Sequence, residues 1–467
     1  MRGSKCFMTA RKSMTNDFTS GSPIKHVIRF AFPLFLGMIL QQLYGVIDAI
    51  IVGQKVGVEA LAGVGSTGAI SFMVIGFCTG LSGGFAIPVA QQFGAGDEKG
   101  LRRYVANSLW LCIFFSVVIT VLVCFFCDGI LRIMHTPSDI YSYAKTYIFI
   151  IFLGIPFTIF YNTLAGVLRA IGDSKTPVIC LMVSTVLNIV LDFVFIIGLH
   201  MSVEGPAIAT IISQALSGVL CLVQMRRGYE VLKFQPGEGR FSWKHVSKLS
   251  RLGIPMGLQT SVTGIGIMTL QGAINNLGVK VVAGVTTGLQ MNNFLQASLD
   301  SVAQTMAPYA GQNLGAGKPE RIKQGVKAAI KCGIVIAIVT FVVALLLGRN
   351  VAALFMDTPD SEVIEYAYRI VVSMVGTYIF LILLNALRFA LQGMGYTTIA
   401  VISGFMEVIA RVIAALVLIP QFGFLGVQFA HPLAWLFGDL LLIPAFVYCM
   451  KDVGKRWKTT PPASEEV

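Results

Sequence analysis

The stretch Gln91-Gln92-Phe93-Gly94-Ala95-Gly96 occurs a second time, in the other half of the chain, as Gln312-Asn313-Leu314-Gly315-Ala316-Gly317. Each copy ends a long apolar run and precedes a basic cluster. Further pairs recur at nearly the same offset: 24–27 with 243–246, Thr136-Pro137 with Thr358-Pro359, and 168–172 with 391–395. A duplicated, strongly apolar chain is the usual build of a secondary transporter, which handles its substrate where the two halves meet.

The composition places the chain in a membrane. Its 467 residues are 55% hydrophobic and only 12% charged, with a mean hydropathy of +0.77. Soluble domains are about one quarter charged, so a water-soluble protein of this size could not bury so much apolar surface. Apolar runs of about 20 residues or more predict twelve spans: 26–52, 59–84, 104–127, 143–167, 177–198, 205–225, 246–274, 281–308, 326–347, 366–387, 399–419 and 425–449.

The net charge of +12 reflects how the chain is oriented in the membrane and does not indicate a nucleic-acid partner. Lys and Arg concentrate in alternate loops and in both terminal segments. The loops on the other side hold only Lys55, Arg132, Lys280 and Arg349. This positive-inside bias predicts that both termini are cytoplasmic.

These patterns predict an all-α integral membrane protein with twelve transmembrane helices, in two six-helix lobes related by internal duplication. Six spans per half is an even number, so the halves are parallel repeats. Pro33 and its repeat mate Pro255 predict a bend in the first helix of each lobe. The expected segments are a cytoplasmic N-terminal tail, a first lobe, a cytoplasmic linker, a second lobe and a cytoplasmic C-terminal tail: 1–25, 26–225, 226–245, 246–450 and 451–467.

The acidic residues within the spans are not repeated between the two halves. Asp48 and Asp192 in the first half correspond to Leu270 and Ala415 in the second. An ionisable group at membrane depth costs about 2.5–3.5 kcal/mol on insertion scales, so each acid is a functional candidate.

Asp192 has a polar neighbour, Asn188, one helical turn earlier on the same face, and Thr210 follows in the next span. Two carboxylates, an amide oxygen and a hydroxyl suit a small cation or a bound proton. The alternative is that Asn188 and Asp192 only form hydrogen bonds between helices.

The second half has its own acids within the spans, Asp300, Glu407 and Asp439. Glu407 and Arg411 are spaced i, i+4 and can form a structural ion pair or a functional site. Asp300 is expected either near a cavity or paired with Arg388. Asp300, Glu407 and Arg411 are therefore secondary site candidates.

Taken together, the order and spacing of these motifs resemble the multidrug and toxic compound extrusion (MATE) family over residues 24–450. The resemblance rests on twelve spans in two halves and on four motifs: Tyr44-Gly45-Val46-Ile47-Asp48 with Val52-Gly53, the repeated Gly-Ala-Gly turn, Leu168-Arg169-Ala170-Ile171-Gly172-Asp173, and Asn188 to Asp192. It implies an antiporter that exports organic, often cationic and aromatic, compounds in exchange for Na⁺ or H⁺.

The family branch with acids in the first lobe implies a cation site at Asp48, Asn188, Asp192 and Thr210, and a transport-linked bend at Pro33. Other branches place key acids in helices 7 and 10. This chain has Gln259 and Gln271 in span 7 and no acid in span 10, which weakens a second-lobe site of that kind.

The expected partners are small organic molecules and the lipid bilayer, with no cofactor, no resident metal and no nucleic acid. The expected form is a monomer in the plasma membrane, not an enzyme. The alternatives are a lipid-linked sugar flippase or an exporter of a specific metabolite in the same superfamily. A major-facilitator transporter is disfavoured because Gly94-Ala95-Gly96-Asp97-Glu98 stands where its basic loop motif belongs. An enzyme is disfavoured because the five histidines are far apart in sequence.

Overall fold

The computed structural model describes residues 16–134, 136–355 and 360–459, the last four by backbone alone. These residues form helices joined by short turns and contain no strand. The repeat Thr358-Pro359 and the outer parts of the two expected tails, 1–15 and 460–467, lie outside the described residues.

The first lobe has six long helices, two of them interrupted. They are α1 (Pro23–Lys55), α2 (Val58–Ser66 and Gly68–Ala95), α3 (Glu98–Phe125), α4 (Ser138–Leu153 and Ile155–Ala170), α5 (Lys175–Asp192, continued as a π-helix Phe193–Gly198) and α6 (Glu204–Gly228). A short helix, Cys127–Ile133, separates α3 from α4.

The second lobe repeats this order. Its helices are α7 (Trp243–Asn275), α8 (Val279–Gln304 and Met306–Gly315), α9 (Pro319–Leu354), α10 (Ser361–Gly376 and Tyr378–Gly393), α11 (Thr397–Ile413, a π-helix Ala414–Leu418 and Ile419–Phe422) and α12 (Phe424–Thr459). Each predicted span corresponds to one of these twelve helices, so the predicted fold class is confirmed. Since each lobe has an even number of spans, both termini lie on one side, which we call the terminus side.

The helices are generally longer than the apolar runs because their ends reach beyond the hydrocarbon. Among the described residues, eight helices and the two bent pairs of α4 and α10 are long and apolar enough to cross a membrane. The two remaining helices are also long: α7 has 33 residues and the first segment of α8 has 26. They are more polar in composition than those helices and pairs. Polar side chains on a membrane helix favour positions that face other helices or a cavity.

The sharp bends fall elsewhere than at Pro33 and Pro255, and one of them lies beside Pro156, in the first turn of the second half of α4. The two halves of α4 meet at 46° around Gly154, and those of α10 meet at 53° around Thr377. Gly154 and Thr377 are equivalent positions of the repeat, so the duplication has preserved the break. Pro33 and Pro255 lie inside helices that continue without interruption.

The two Gly-Ala-Gly turns hold the lobes together on the terminus side. A Cβ on Gly94 would overlap the carbonyl oxygen of Gln312, and one on Gly315 would overlap that of Gln91. The two contacts are equivalent under the repeat. Only glycine allows backbones to approach so closely, so the duplicated stretch forms a symmetric contact between lobes.

Helices α2 and α7 extend this contact into the membrane. A Cβ on Gly84 would meet the backbone of Gly253, and one on Gly80 would meet that of Met256. Further along, the Ser261 hydroxyl donates to the Met73 carbonyl at 3.0 Å. Glycines therefore let the first helix of the second lobe pack tightly on the first lobe.

A segment before α1 bridges the lobes on the terminus side. Phe18 is fully buried, and its N–H donates to the Gln312 side chain at 3.1 Å. Arg321 donates to the Phe18 carbonyl at 3.0 Å, while the Asn16 N–H reaches the first-lobe carbonyl of Gly172 at 3.2 Å. The inner part of the expected N-terminal tail is thus packed structure.

The segment between the lobes is also packed. Glu238 is 5% exposed and accepts a hydrogen bond from Arg102 of α3 at 2.6 Å. Trp110 of the same helix donates to the Gly239 carbonyl at 3.2 Å. The connection expected as a linker is therefore docked against α3.

Candidate cation site in the first lobe

Helices α1, α5 and α6 bring the four residues predicted as a cation site to one region of the first lobe. Asp48, Asn188 and Asp192 are 9%, 2% and 0% exposed. Asn188 and Asp192 share a face of α5 because they are four residues apart. Thr210 of α6 lies 2.7 Å from the hydroxyl of Tyr44, which belongs to the same helix as Asp48.

A small cavity of about 60 Å³ lies between these helices; its lining includes Asn188 and Thr210 but neither carboxyl. It is large enough for a water molecule or a small cation. Its lining consists of Gln41, Tyr44, Leu181, Ser184, Thr185, Asn188, Thr210, Ser213, Gln214 and Ser217.

The two carboxyl groups lie within electrostatic range of each other, and neither has a basic partner among the described residues. Asp48 and Asp192 interact electrostatically, and Tyr147 of α4 lies beside both. Neither carboxyl forms an ion pair with a Lys or Arg within the part of the chain that the structure describes. Two buried acids without a basic partner can hold a cation, or protons when the carboxyls are neutral.

Many polar atoms of the site have no hydrogen-bond partner in the described ranges. They include Oδ1 of Asp48, both polar atoms of Asn188 and both carboxyl oxygens of Asp192. Leaving a buried polar group unsatisfied costs about 1–3 kcal/mol, more for a charged one, and buried polar groups usually have partners. The oxygens of this set are suited to a small cation or to protons, which would satisfy several of them at once.

Apolar packing covers the site on the side away from the termini. Ile51 and Val52, one turn beyond Asp48, pack with Ile196 and Val203. Ile196 belongs to the π-helix that begins directly after Asp192. A π-helix changes the direction of the side chains that follow it and is common at functional sites. The cluster limits the access of water to the carboxyls from that side.

Sequence reasoning missed part of this site. Gln41 and Tyr44 precede Asp48 by seven and four residues on α1, and Ser184 precedes Asn188 by four on α5. On α6, Ser213 and Ser217 follow Thr210 by three and seven. Each helix therefore carries a polar stripe of helical period, a signal visible in the sequence.

Pro33 lies between the terminus-side contacts and this site. It is buried in α1, fifteen residues before Asp48. Proline cannot donate a backbone hydrogen bond, so α1 has a point of low bending stiffness there. Helix α1 packs on α5 in its own lobe and on α8 and α9 in the other.

Among the secondary candidates, Asp300 lines a separate cavity. That cavity has a volume of about 280 Å³ and lies between α1 and α8, where Gln41 and Gln296 also line it. Asp300 accepts hydrogen bonds from Asn385 at 2.9 Å and from Gln296 at 3.1 Å. Of the two expected placements, the structure supports the cavity; Arg388 pairs with Glu407 instead.

Glu407 and Arg411 belong to a buried ion cluster. Glu407 accepts hydrogen bonds from Arg388 of α10 and from Arg411, the latter at 3.2 Å. Arg388 also donates to Ser403 at 3.3 Å. Asp439 of α12 lies beside Arg388 and Glu407, but its two oxygens have no hydrogen-bond partner among the described residues. The predicted i, i+4 pair thus forms and gains a second arginine.

A duplicated, all-helical membrane protein with a buried polar site in one lobe and cavities between the lobes is a secondary transporter in its architecture. The family model MatE matches residues 33–194 and 255–417. The chain therefore belongs to the MatE family of multi-pass membrane transporters, as the resemblance implied. The two matched blocks begin at Pro33 and Pro255, which are repeat mates, so the family model follows the same duplication.

Individual relatives agree with this family. The "Probable multidrug resistance protein YpnP" of Bacillus subtilis is 30% identical over 346 residues, which cover 74% of this chain and 77% of that protein. The "Probable multidrug resistance protein NorM" of Thermotoga maritima is 26% identical over 412 residues, 86% and 87% of the two chains. A solved structure described as an outward-facing multidrug resistance MATE family transporter has a TM-score of 0.86 and 22% identity, covering 95% of this chain and 100% of that one; it shows the fold.

Proposed function

We propose that the protein is an antiporter of the plasma membrane that exports organic, often cationic and aromatic, compounds in exchange for Na⁺ or H⁺. Both termini are cytoplasmic in this proposal, as the positive-inside bias favours. The exchanged cation binds at Asp48, Asn188, Asp192 and Thr210. The observation that carries the proposal is the set of buried oxygens at this site without hydrogen-bond partners among the described residues.

Coupling requires that the cation and the cargo prefer different states of the lobes. Helix α1 is suited to connect them, because it carries Asp48 and also packs against α8 and α9 of the second lobe. A cation that draws Asp48 and Asp192 together changes the free energy of bending α1 at Pro33. The changed bend of α1 alters its packing on α8 and α9, and the cargo cavity between the lobes opens or closes as a result.

The assignment of the cargo rests on the relatives and on the space between the lobes. Two relatives are named probable multidrug resistance proteins. Cavities of about 240 Å³ and 280 Å³ are lined by helices of both lobes. A cavity between two mobile lobes can accept cargo of varied shape, and methionine and glutamine side chains adapt to it.

The test is efflux of a fluorescent cationic dye by everted vesicles under an imposed Na⁺ or H⁺ gradient. The variants are Asp48→Asn and Asp192→Asn at matched expression, with Asp128→Asn, at an exposed carboxyl, as the control and Asp300→Asn as the test of the rival site. Asp300 is also a carboxyl at membrane depth, but its oxygens have protein partners. We expect a loss of at least about tenfold in both first-lobe variants and little change in the control, because the amide cannot carry the exchanged charge.

The ion that drives wild-type efflux identifies the coupling cation. Efflux that survives both first-lobe substitutions and stops with Asp300→Asn would overturn the assigned site. Wild-type protein that moves no dye, but moves a lipid-linked sugar or a single metabolite, would replace the proposed cargo with one of the alternatives.

A further inference from the structure

The cavity between the lobes on the terminus side contains an arginine. The cavity has a volume of about 240 Å³ and is lined by α2, α4, α7, α8 and α10. Gly80, Gly83 and Gly166 provide its space, and Arg169, near the end of α4, provides a charge. It lies away from the cation site, which is in the opposite half of the membrane.

Arg169 has no carboxylate partner within the described part of the chain. The ionisable groups that act on its charge are Tyr161 and Cys221, both neutral at ordinary pH. Asp173 follows one turn later, but its oxygens accept the N–H groups of Lys175 at 2.9 Å and Thr176 at 3.1 Å, and the Tyr229 hydroxyl. The nearest acid in sequence is therefore committed to the turn before α5.

Gln392 lines the same cavity from the other lobe. Because 168–172 recurs as 391–395, Gln392 is the repeat mate of Arg169, and the two stand on opposite walls. Gln392 is 1% exposed, and its Oε1 has no hydrogen-bond partner in the described ranges. The duplication thus places one unpaired cation and one unpaired amide oxygen around a single space, with Gln304 of α8 beside them.

Arg169 is half-buried against the cavity, and an arginine partly removed from water is costly unless an anion accompanies it. Its planar guanidinium matches a carboxylate or a phosphate with two parallel hydrogen bonds. We propose that this cavity binds the carboxylate or phosphate group of an organic cargo, with Arg169 as the charge partner and Gln392 accepting a neighbouring N–H or O–H of the cargo. The proposal rests on the export function and specifies its cargo: compounds that carry an acidic group, including zwitterions.

Because the cavity lies between the lobes, binding of cargo in it favours one arrangement of the lobes. Arg169 and Gln392 belong to different lobes, so separation of the lobes on the terminus side removes one of the two contacts. A cargo held by both walls therefore binds the closed arrangement more tightly than the open one, which is the condition for coupling.

The test compares two fluorescent rhodamines that differ in one group, a cationic methyl ester and the free carboxylate. Binding to the purified full-length protein in non-ionic detergent is followed by fluorescence polarisation. We expect wild type to prefer the carboxylate form and Arg169→Gln to lose about tenfold in affinity for it, while affinity for the ester changes by less than about twofold. Arg169→Lys restores part of the preference, because it keeps the charge without the planar fork.

Arg103→Gln, at an exposed arginine on the terminus side, is the matched control and keeps the preference. Unchanged ester affinity shows that the Arg169 variants are folded. An unchanged ratio of carboxylate to ester affinity in Arg169→Gln would overturn the proposal. It would also be overturned if phosphatidylglycerol, added to the detergent, abolished the carboxylate preference through Arg169 while phosphatidylcholine did not, since a lipid headgroup would then be the ligand. The binding assay needs no ion gradient. Its result can therefore be interpreted even if the ion-driven efflux of the proposed function is not found.

Discussion

Helices α5 and α11 occupy equivalent places in the two lobes but treat their buried acids in opposite ways. Helix α5 carries Ser184, Asn188 and Asp192 at four-residue spacing, and the repeat places Glu407, Arg411 and Ala415 at the same points of α11. In α11 the acid has two arginines as partners. In α5 the acid has no hydrogen-bond partner among the described residues.

The difference separates structure from function within one fold. Both helices continue into a π-helix at this point, Phe193–Gly198 in one and Ala414–Leu418 in the other. The π-helix is therefore part of the inherited backbone and does not by itself mark a site. Helix α5 is suited to bind a ligand because its polar side chains lack hydrogen-bond partners among the described residues. In the second lobe, an ion cluster holds α10 and α11 together.

The comparison predicts its largest effect at Glu407. Glu407→Gln removes the carboxylate to which both Arg388 and Arg411 donate and leaves, among the described residues, only the unbonded Asp439 as a nearby acid. Removing one partner of a buried pair costs about 3–5 kcal/mol. Asp192→Asn removes a charge that has no partner and should leave the melting temperature within about 2 °C of wild type. Thermal unfolding of both purified variants, followed by tryptophan fluorescence, measures the contrast. Equal melting temperatures for the two variants would show that the acids play the same role in both lobes.

A second prediction concerns the place where the lobes are alike. Gly94→Ala and Gly315→Ala each push a Cβ against a backbone carbonyl of the other lobe. Overpacking of this kind costs about 1–3 kcal/mol, and the symmetry predicts similar falls in melting temperature. Gly45→Ala is the control, since no atom lies within 4 Å of its added Cβ. A fall caused by only one of the two substitutions would mean that the contact is not symmetric in solution.

Much of the fold could be predicted because its causes are local. Apolar runs and charge placement specify the helices, and the repeat specifies the two lobes. Asn188 and Asp192 were recognisable together because they lie one turn apart on one helix. The bends at Gly154 and Thr377 were not predicted. The first has a local signal in Gly154-Ile155-Pro156, whereas no proline stands near Thr377 and that break depends on packing.

The remaining features depend on contacts between distant segments. Arg388 lies nineteen residues before Glu407 on another helix, so the sequence offered Arg411 as the partner and only the packing of α10 on α11 adds the second arginine. Glu238 lies in the segment predicted as a cytoplasmic linker, and nothing near it in sequence shows that Arg102 faces it. The stripes of α1 and α6 were visible as periodic polar residues, but only the fold turns them toward one cavity.

The smallest predicted effect also compares the lobes. Arg102 corresponds, under the repeat, to Lys323 in the second lobe. The Arg102–Glu238 pair is 7% and 5% exposed, whereas the Lys323–Glu320 pair is 43% and 74% exposed. Exposed pairs contribute little, so Glu320→Gln should leave the melting temperature unchanged, while Glu238→Gln lowers it by about 1–3 °C as the connection detaches from α3.

The pH dependence checks the cause of that shift. The hydrogen bonds from Arg102 hold the pKa of Glu238 below its ordinary value of 4.5. A carboxyl with a lowered pKa stabilises the folded state above its unfolded pKa, and this contribution is lost as the pH falls through the folded value. The difference in melting temperature between wild type and Glu238→Gln should therefore be constant at neutral pH, shrink as the pH falls below the ordinary value of 4.5 and vanish once the pH is below the lowered value of the folded state. A difference that persists in acid would mean that the shape of the side chain, and not its charge, docks the connection.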